Sequence, residues 1–74
     1  MSKNTDKIVI DIILKTLKIK KKDIKLKTAI GSIPEWDSLA HLNIFMTLNK
    51  KFKKIDMIKA SKVKTVRDWI NLVK

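Results

Sequence analysis

Asp37-Ser38-Leu39-Ala40-His41-Leu42-Asn43-Ile44-Phe45-Met46-Thr47-Leu48-Asn49-Lys50-Lys51-Phe52 is the stretch that decides the fold. Asp37 is a residue type that accepts a hydrogen bond from a first-turn amide, so a helix is predicted to begin just after it. His41, Phe45, Leu48 and Phe52 recur at spacings of four, three and four, which is one helical face, and Leu42 and Ile44 widen it. A second stripe, Leu39, Asn43, Met46 and Lys50, has the same spacing but mixes apolar with polar residues. It is either a surface meant for a partner or a partly buried margin of the core, and for Leu39 and Met46 taken singly core packing is the simpler expectation. Ser38 stands at the mouth of this helix. Unpaired backbone N–H groups and the positive end of the macrodipole would favour a phosphate linked to its hydroxyl.

Upstream, residues 18–33 form a long connection, basic at first and then Thr28-Ala29-Ile30-Gly31-Ser32-Ile33, with Pro34 following. A structureless loop of that length argues against an assignment unless it packs or functions, and Ile19, Ile24, Leu26 and Ile30 are spaced to pin it down. Trp36, at its end, can buttress the loop against the helix. Further back, Lys7, Asp11, Lys15 and Lys18 fall on one narrow helical stripe, with Val9, Ile12, Ile13 and Leu17 toward a core and Ile8, Ile10 and Leu14 at the flanks. Its β-branched residues weaken intrinsic helix propensity, and residues 8–12 are apolar enough to admit a strand.

Downstream, Asp56 can cap a short helical turn through Met57, Ile58 and Ala60. Thr65 with Asp68 three residues on resembles a capping box, and Val66, Trp69, Ile70 and Val73 then follow the i, i+3, i+4, i+7 pattern of a last helix. The expectation is a single all-α domain over residues 1–74, a small bundle of three main helices plus one short helix, with a long ordered loop between the first two.

The composition limits function more than fold. A 74-residue chain buries only about 60% of its unfolded surface, and with no cysteine it must rest on aliphatic packing without disulfides. No apolar run approaches the roughly 18 residues of a membrane span and no signal-type cleavage site follows the N-terminus, so a cytoplasmic monomer is expected. Catalysis by the chain itself is not indicated: one histidine, no metal-ligand cluster and no glycine-rich phosphate loop leave no catalytic residue and no metal site to name. The net charge of +11 points to anionic partners, yet 17 of the 18 basic residues are lysine and isoleucine leads the aliphatics, a joint bias that AT-rich coding alone can produce.

Taken together, these residues resemble the acyl carrier proteins, small four-helix carriers of acyl groups on a phosphopantetheine arm. The resemblance runs nearly end to end. Its motif is Asp37-Ser38-Leu39, followed by Phe52, Ile55-Asp56, Ala60 and Val63-Lys64-Thr65-Val66, with Leu17, Ile19, Ile24 and Ala29-Ile30 upstream and about one residue fewer near Lys53-Lys54. It implies that a phosphopantetheinyl transferase attaches 4'-phosphopantetheine from coenzyme A to Ser38, and that the arm's thiol carries cargo as a thioester. It gives Asp37 a contact with the transferase and its metal besides its capping role. It also places Leu39 and Met46 toward partner enzymes, with Asn43 and Lys50 completing their stripe, and Phe45 and Leu48 where an acyl chain could insert, although core packing is the simpler expectation for Phe45 and Leu48 too. His41 falls on the core-facing side near the arm, where filling the first turn is the simpler role.

The chain departs from the family in charge. Carriers of fatty acid synthesis are acidic along the second helix, because basic patches on their enzymes read that surface. Here no acidic residue lies between Asp37 and Asp56, and lysines crowd residues 18–27. The resemblance therefore implies a dedicated carrier served by acyl-loading and acyl-transfer enzymes of its own pathway. The rival from another class is a small basic helical module that binds nucleic acid through its lysines, leaving Asp37-Ser38-Leu39 a coincidence.

Overall fold

The computed structural model describes residues 2–53 and 55–73. These form four α-helices, α1 (Ser2–Leu17), α2 (Ser38–Phe52), α3 (Met57–Ser61) and α4 (Val66–Val73), with one 3-10 turn at Lys21–Asp23 and no strand among them. The all-helical expectation holds, and the residues 8–12 that admit a strand lie within α1. That helix starts earlier than the stripe beginning at Lys7 suggests. The apolar periodicity weakens before Lys7, so nothing in the pattern marks the first turn.

Each later helix begins where a side chain can satisfy its free amides. Asp37 accepts from Ala40 N at 2.9 Å, and Asp56 accepts from Ile58 N at 2.8 Å. At α4 the box is reciprocal: Asp68 N donates to Thr65 Oγ1 at 3.1 Å, and Thr65 N and Lys64 N donate to Asp68 Oδ2 at 3.2 and 3.0 Å. The Lys64 amide, ahead of those from Thr65, holds the Asp68 carboxyl below its ordinary range. A carboxyl whose folded pKa is depressed stabilises the fold fully above the unfolded value and loses that contribution as pH falls through the folded one. Wild type should therefore lose more stability than Asp68→Asn in urea titrations as pH falls through the carboxylate range. Equal losses would mean the box is not formed.

The helices enclose one core. Val9, Ile13 and Leu17 of α1 meet Ile44, Phe45 and Leu48 of α2 and Val66, Trp69, Ile70 and Val73 of α4, with Ala60 from α3 and Ile24, Trp36, Ile55 and Val63 from the connections. No polar or charged residue is buried among them. Ile12, on the predicted core side of α1, is only partly buried beside Ile10 and Leu14.

The connection between α1 and α2 is ordered more by backbone than by its pins. Ile24 is buried and Ile19 and Ile30 pack against the core, but Leu26 is 39% exposed, contrary to its expected role. What ties the segment down is the stretch before α4: Ile30 N donates to Lys64 O, Val66 N to Thr28 O and Arg67 N to Leu26 O, around a bridge between Ala29 and Thr65. Leu26 thus anchors the loop through its carbonyl. Gly31, at φ +84°, lets the chain turn back so that its amide donates to Trp36 O at 2.8 Å. That turn delivers Trp36 to the core and Asp37 to its cap. Lys53 ends α2 in the left-handed region at φ 58°, its amide on Asn49 O, while Lys54, where the family spacing runs short, lies outside the described residues.

Candidate functional site

Ser38 is the first residue of α2, exposed, and held in place by the Asp37 cap immediately before it. Its hydroxyl makes no hydrogen bond to the other described residues. In contrast, the hydroxyls of Ser32, Thr47 and Ser61 donate to backbone carbonyls, and those of Thr28 and Thr65 accept from amides. The helix geometry leaves this oxygen facing solvent, at the end where α2 carries free N–H groups and partial positive charge.

Beside it lies a small open hollow of about 130 Å³ between α2 and α3, lined by Ser38, His41, Leu42, Phe45, Met57, Ala60 and Ser61. Of the two residues expected to meet an acyl chain, Phe45 lines this hollow. Leu48 is fully buried one turn on and is not part of its wall.

His41 is tied on both ring nitrogens. Trp36 Nε1 can only donate, and it lies 3.1 Å from His41 Nδ1, so that nitrogen accepts. The proton of the neutral ring is then on Nε2, which donates to Ala60 O at 3.1 Å. The imidazole lies nearly parallel to the Trp36 ring (centroids 6.0 Å, 16°), with the bond joining their edges, and tilts against Trp69 (4.8 Å, 38°). His41 therefore fastens the loop end, α2 and α3 together, a positioning role that spacing alone could not reveal because Ala60 is remote in sequence. Trp36 is fully buried, as plain packing also requires, and its Nε1 bond to His41 ties the loop end to α2.

The second stripe of α2 is exposed. Leu39 is 67% and Met46 50% exposed, and Asn43 and Lys50 are exposed with them, so the core-packing expectation for Leu39 and Met46 is overturned. Leu42, expected to widen the core face, is also mostly outside it. The cause is the small size of the bundle: α2 is buried at Ile44, Phe45 and Leu48 and partly covered at Ala40, His41 and Phe52, and the described neighbours do not reach round to a wider face.

No protein-family model matches the chain, and no curated protein matches it either. Among the described residues there is no group of histidine, cysteine or carboxylate side chains able to hold a metal ion, and no helix is long and apolar enough to cross a membrane. The two tryptophans that would serve single-stranded nucleic acid as stacking platforms are both fully buried.

Proposed function

We propose that this chain is an atypically basic acyl carrier protein, its four helices forming a carrier-type bundle and its Ser38 bearing a 4'-phosphopantetheine arm. The observation that carries the reading is the Ser38 hydroxyl: exposed, unengaged, at the start of a capped helix and next to an apolar hollow. A phosphate ester there gains from the free amides of the first turn. The arm supplies the one thing the chain lacks, a thiol, on which acyl or related intermediates ride as thioesters. Asp37 orients Ser38 through the cap and is the residue for a transferase and its metal to approach. Phe45 faces the side of the hollow where a short acyl segment can rest. Coenzyme A as donor places the protein with a cytoplasmic transferase and a small set of cognate acyl-loading and acyl-transfer enzymes, acting as a monomer.

The absence of cysteine makes a clean test. After incubation with coenzyme A and a broad-specificity phosphopantetheinyl transferase, then desalting, any thiol on the protein belongs to the arm. A stoichiometric thiol on wild type and none on Ser38→Ala is the expected result. A thiol that survives the substitution, or none on wild type, would overturn the proposal.

A further inference from the structure

Six large apolar side chains are exposed among the described residues, and five of them, Leu39, Leu42, Met46, Met57 and Ile58, lie on α2 and α3. On α2, Leu39, Leu42 and Met46 follow at spacings of three and four, a single stripe. Leu42 and Met57 line the same hollow beside Ser38, which joins that stripe to α3. Exposed apolar residues scattered singly need no explanation, but a cluster beside the exposed Ser38 points to a docking surface.

The charge framing this cluster has one sign. Between Trp36 and Arg67 the sequence holds seven lysines and only two carboxylates, Asp37 and Asp56. Both carboxylates are engaged as helix caps, on Ala40 N and Ile58 N. Lys50 prolongs the apolar stripe one turn beyond Met46, Lys51 follows it, and Lys59 and Lys62 lie on and just after α3, all four exposed.

We infer that the α2–α3 face docks proteins presenting an apolar patch rimmed by carboxylates, so that this chain recognises its partners with the charge pattern inverted from that of acidic carriers. The identity of those partners as enzymes acting on the Ser38 arm rests on the function proposed above. The apolar side chains supply the desolvated centre of the interface, and the lysines steer encounter and reject basic partners. An anionic bilayer fits the face less well. The face's exposed apolar residues are only leucine, isoleucine and methionine, whereas Trp36, Trp69 and Phe45, the aromatic side chains that would strengthen interfacial anchoring, are buried.

Three probes test this on the nitrogen-15-labelled, unmodified protein: an amphipathic helical peptide with a leucine face flanked by glutamates, the same peptide with lysines for the glutamates, and phosphatidylcholine–phosphatidylglycerol vesicles. At physiological salt the glutamate peptide should shift the amides of α2 and α3 saturably. K50E/K51E/K59E/K62E should weaken it by about tenfold or more. Met46→Ser with Ile58→Ser should weaken it as well, with helicity unchanged by circular dichroism. Equal binding of the lysine peptide, shifts centred on residues 18–27, or tighter saturation of the same amides by vesicles would each overturn the inference. No arm of the test needs Ser38 modified, so its failure leaves the attachment claim standing, and failure of attachment leaves the docking result standing.

Discussion

Trp69→Ala is expected to cost about 3–5 kcal/mol, the range for truncating a fully buried aromatic residue. Trp69, on α4, has no exposed surface, belongs to the central core and tilts against the His41 ring at 4.8 Å. A chain of this length has about 4–11 kcal/mol of total stability, so the substitution removes a large share of it and can leave the protein mostly unfolded. Trp69→Phe keeps most of the ring volume while removing the indole donor. The Trp69 Nε1 donor is buried with no hydrogen-bond partner among the described residues, and such a donor costs about 1–3 kcal/mol. Phenylalanine removes it along with part of the ring volume, so its loss should be well below that of alanine. Urea unfolding followed by circular dichroism reads both. Equal losses would mean that the ring volume retained by phenylalanine contributes nothing at this position.

The second large effect is a contrast within one helix. Leu48→Ala should cost about 2–5 kcal/mol, whereas Leu39→Ala should stay within about 0.5 kcal/mol of wild type. Both are leucines of α2, but Leu48 is completely buried and Leu39 is 67% exposed. The difference in urea midpoints measures which way the helix is rotated. A costly Leu39→Ala would place the partner stripe inside the core.

Periodicity and capping chemistry were enough to locate α2, α3 and α4, because each start is written in two or three adjacent residues: Asp37, Asp56, and Thr65 with Asp68. The core faces of α1 and α4 were equally legible, since Val9, Ile13, Leu17, Trp69 and Val73 repeat at helical spacing. What spacing does not encode is how far burial extends around a helix. That depends on how many neighbours cover it, so Leu39, Met46 and Leu42 were assigned too deep. The loop between α1 and α2 is legible through Ile19, Ile24 and Ile30, which pack as their spacing predicts, but its ties to residues 64–67 are carbonyls and amides, and backbone groups leave no trace in side-chain pattern. Leu26 looked like a pin by type and acts as one only through its main chain. The His41 bridge from Trp36 to Ala60 needs two segments brought together by the fold, and a lone histidine gives no hint of it.

The central claim is that the Ser38 hydroxyl is an attachment point, and intact-protein mass spectrometry with fragment-ion mapping tests it most directly. After incubation with coenzyme A and a phosphopantetheinyl transferase, wild type is predicted to gain the mass of one phosphopantetheine, mapped to the peptide containing Ser38, and Ser38→Ala to gain nothing. No gain on wild type, or a gain mapped to Ser32 or Ser61, would contradict the account.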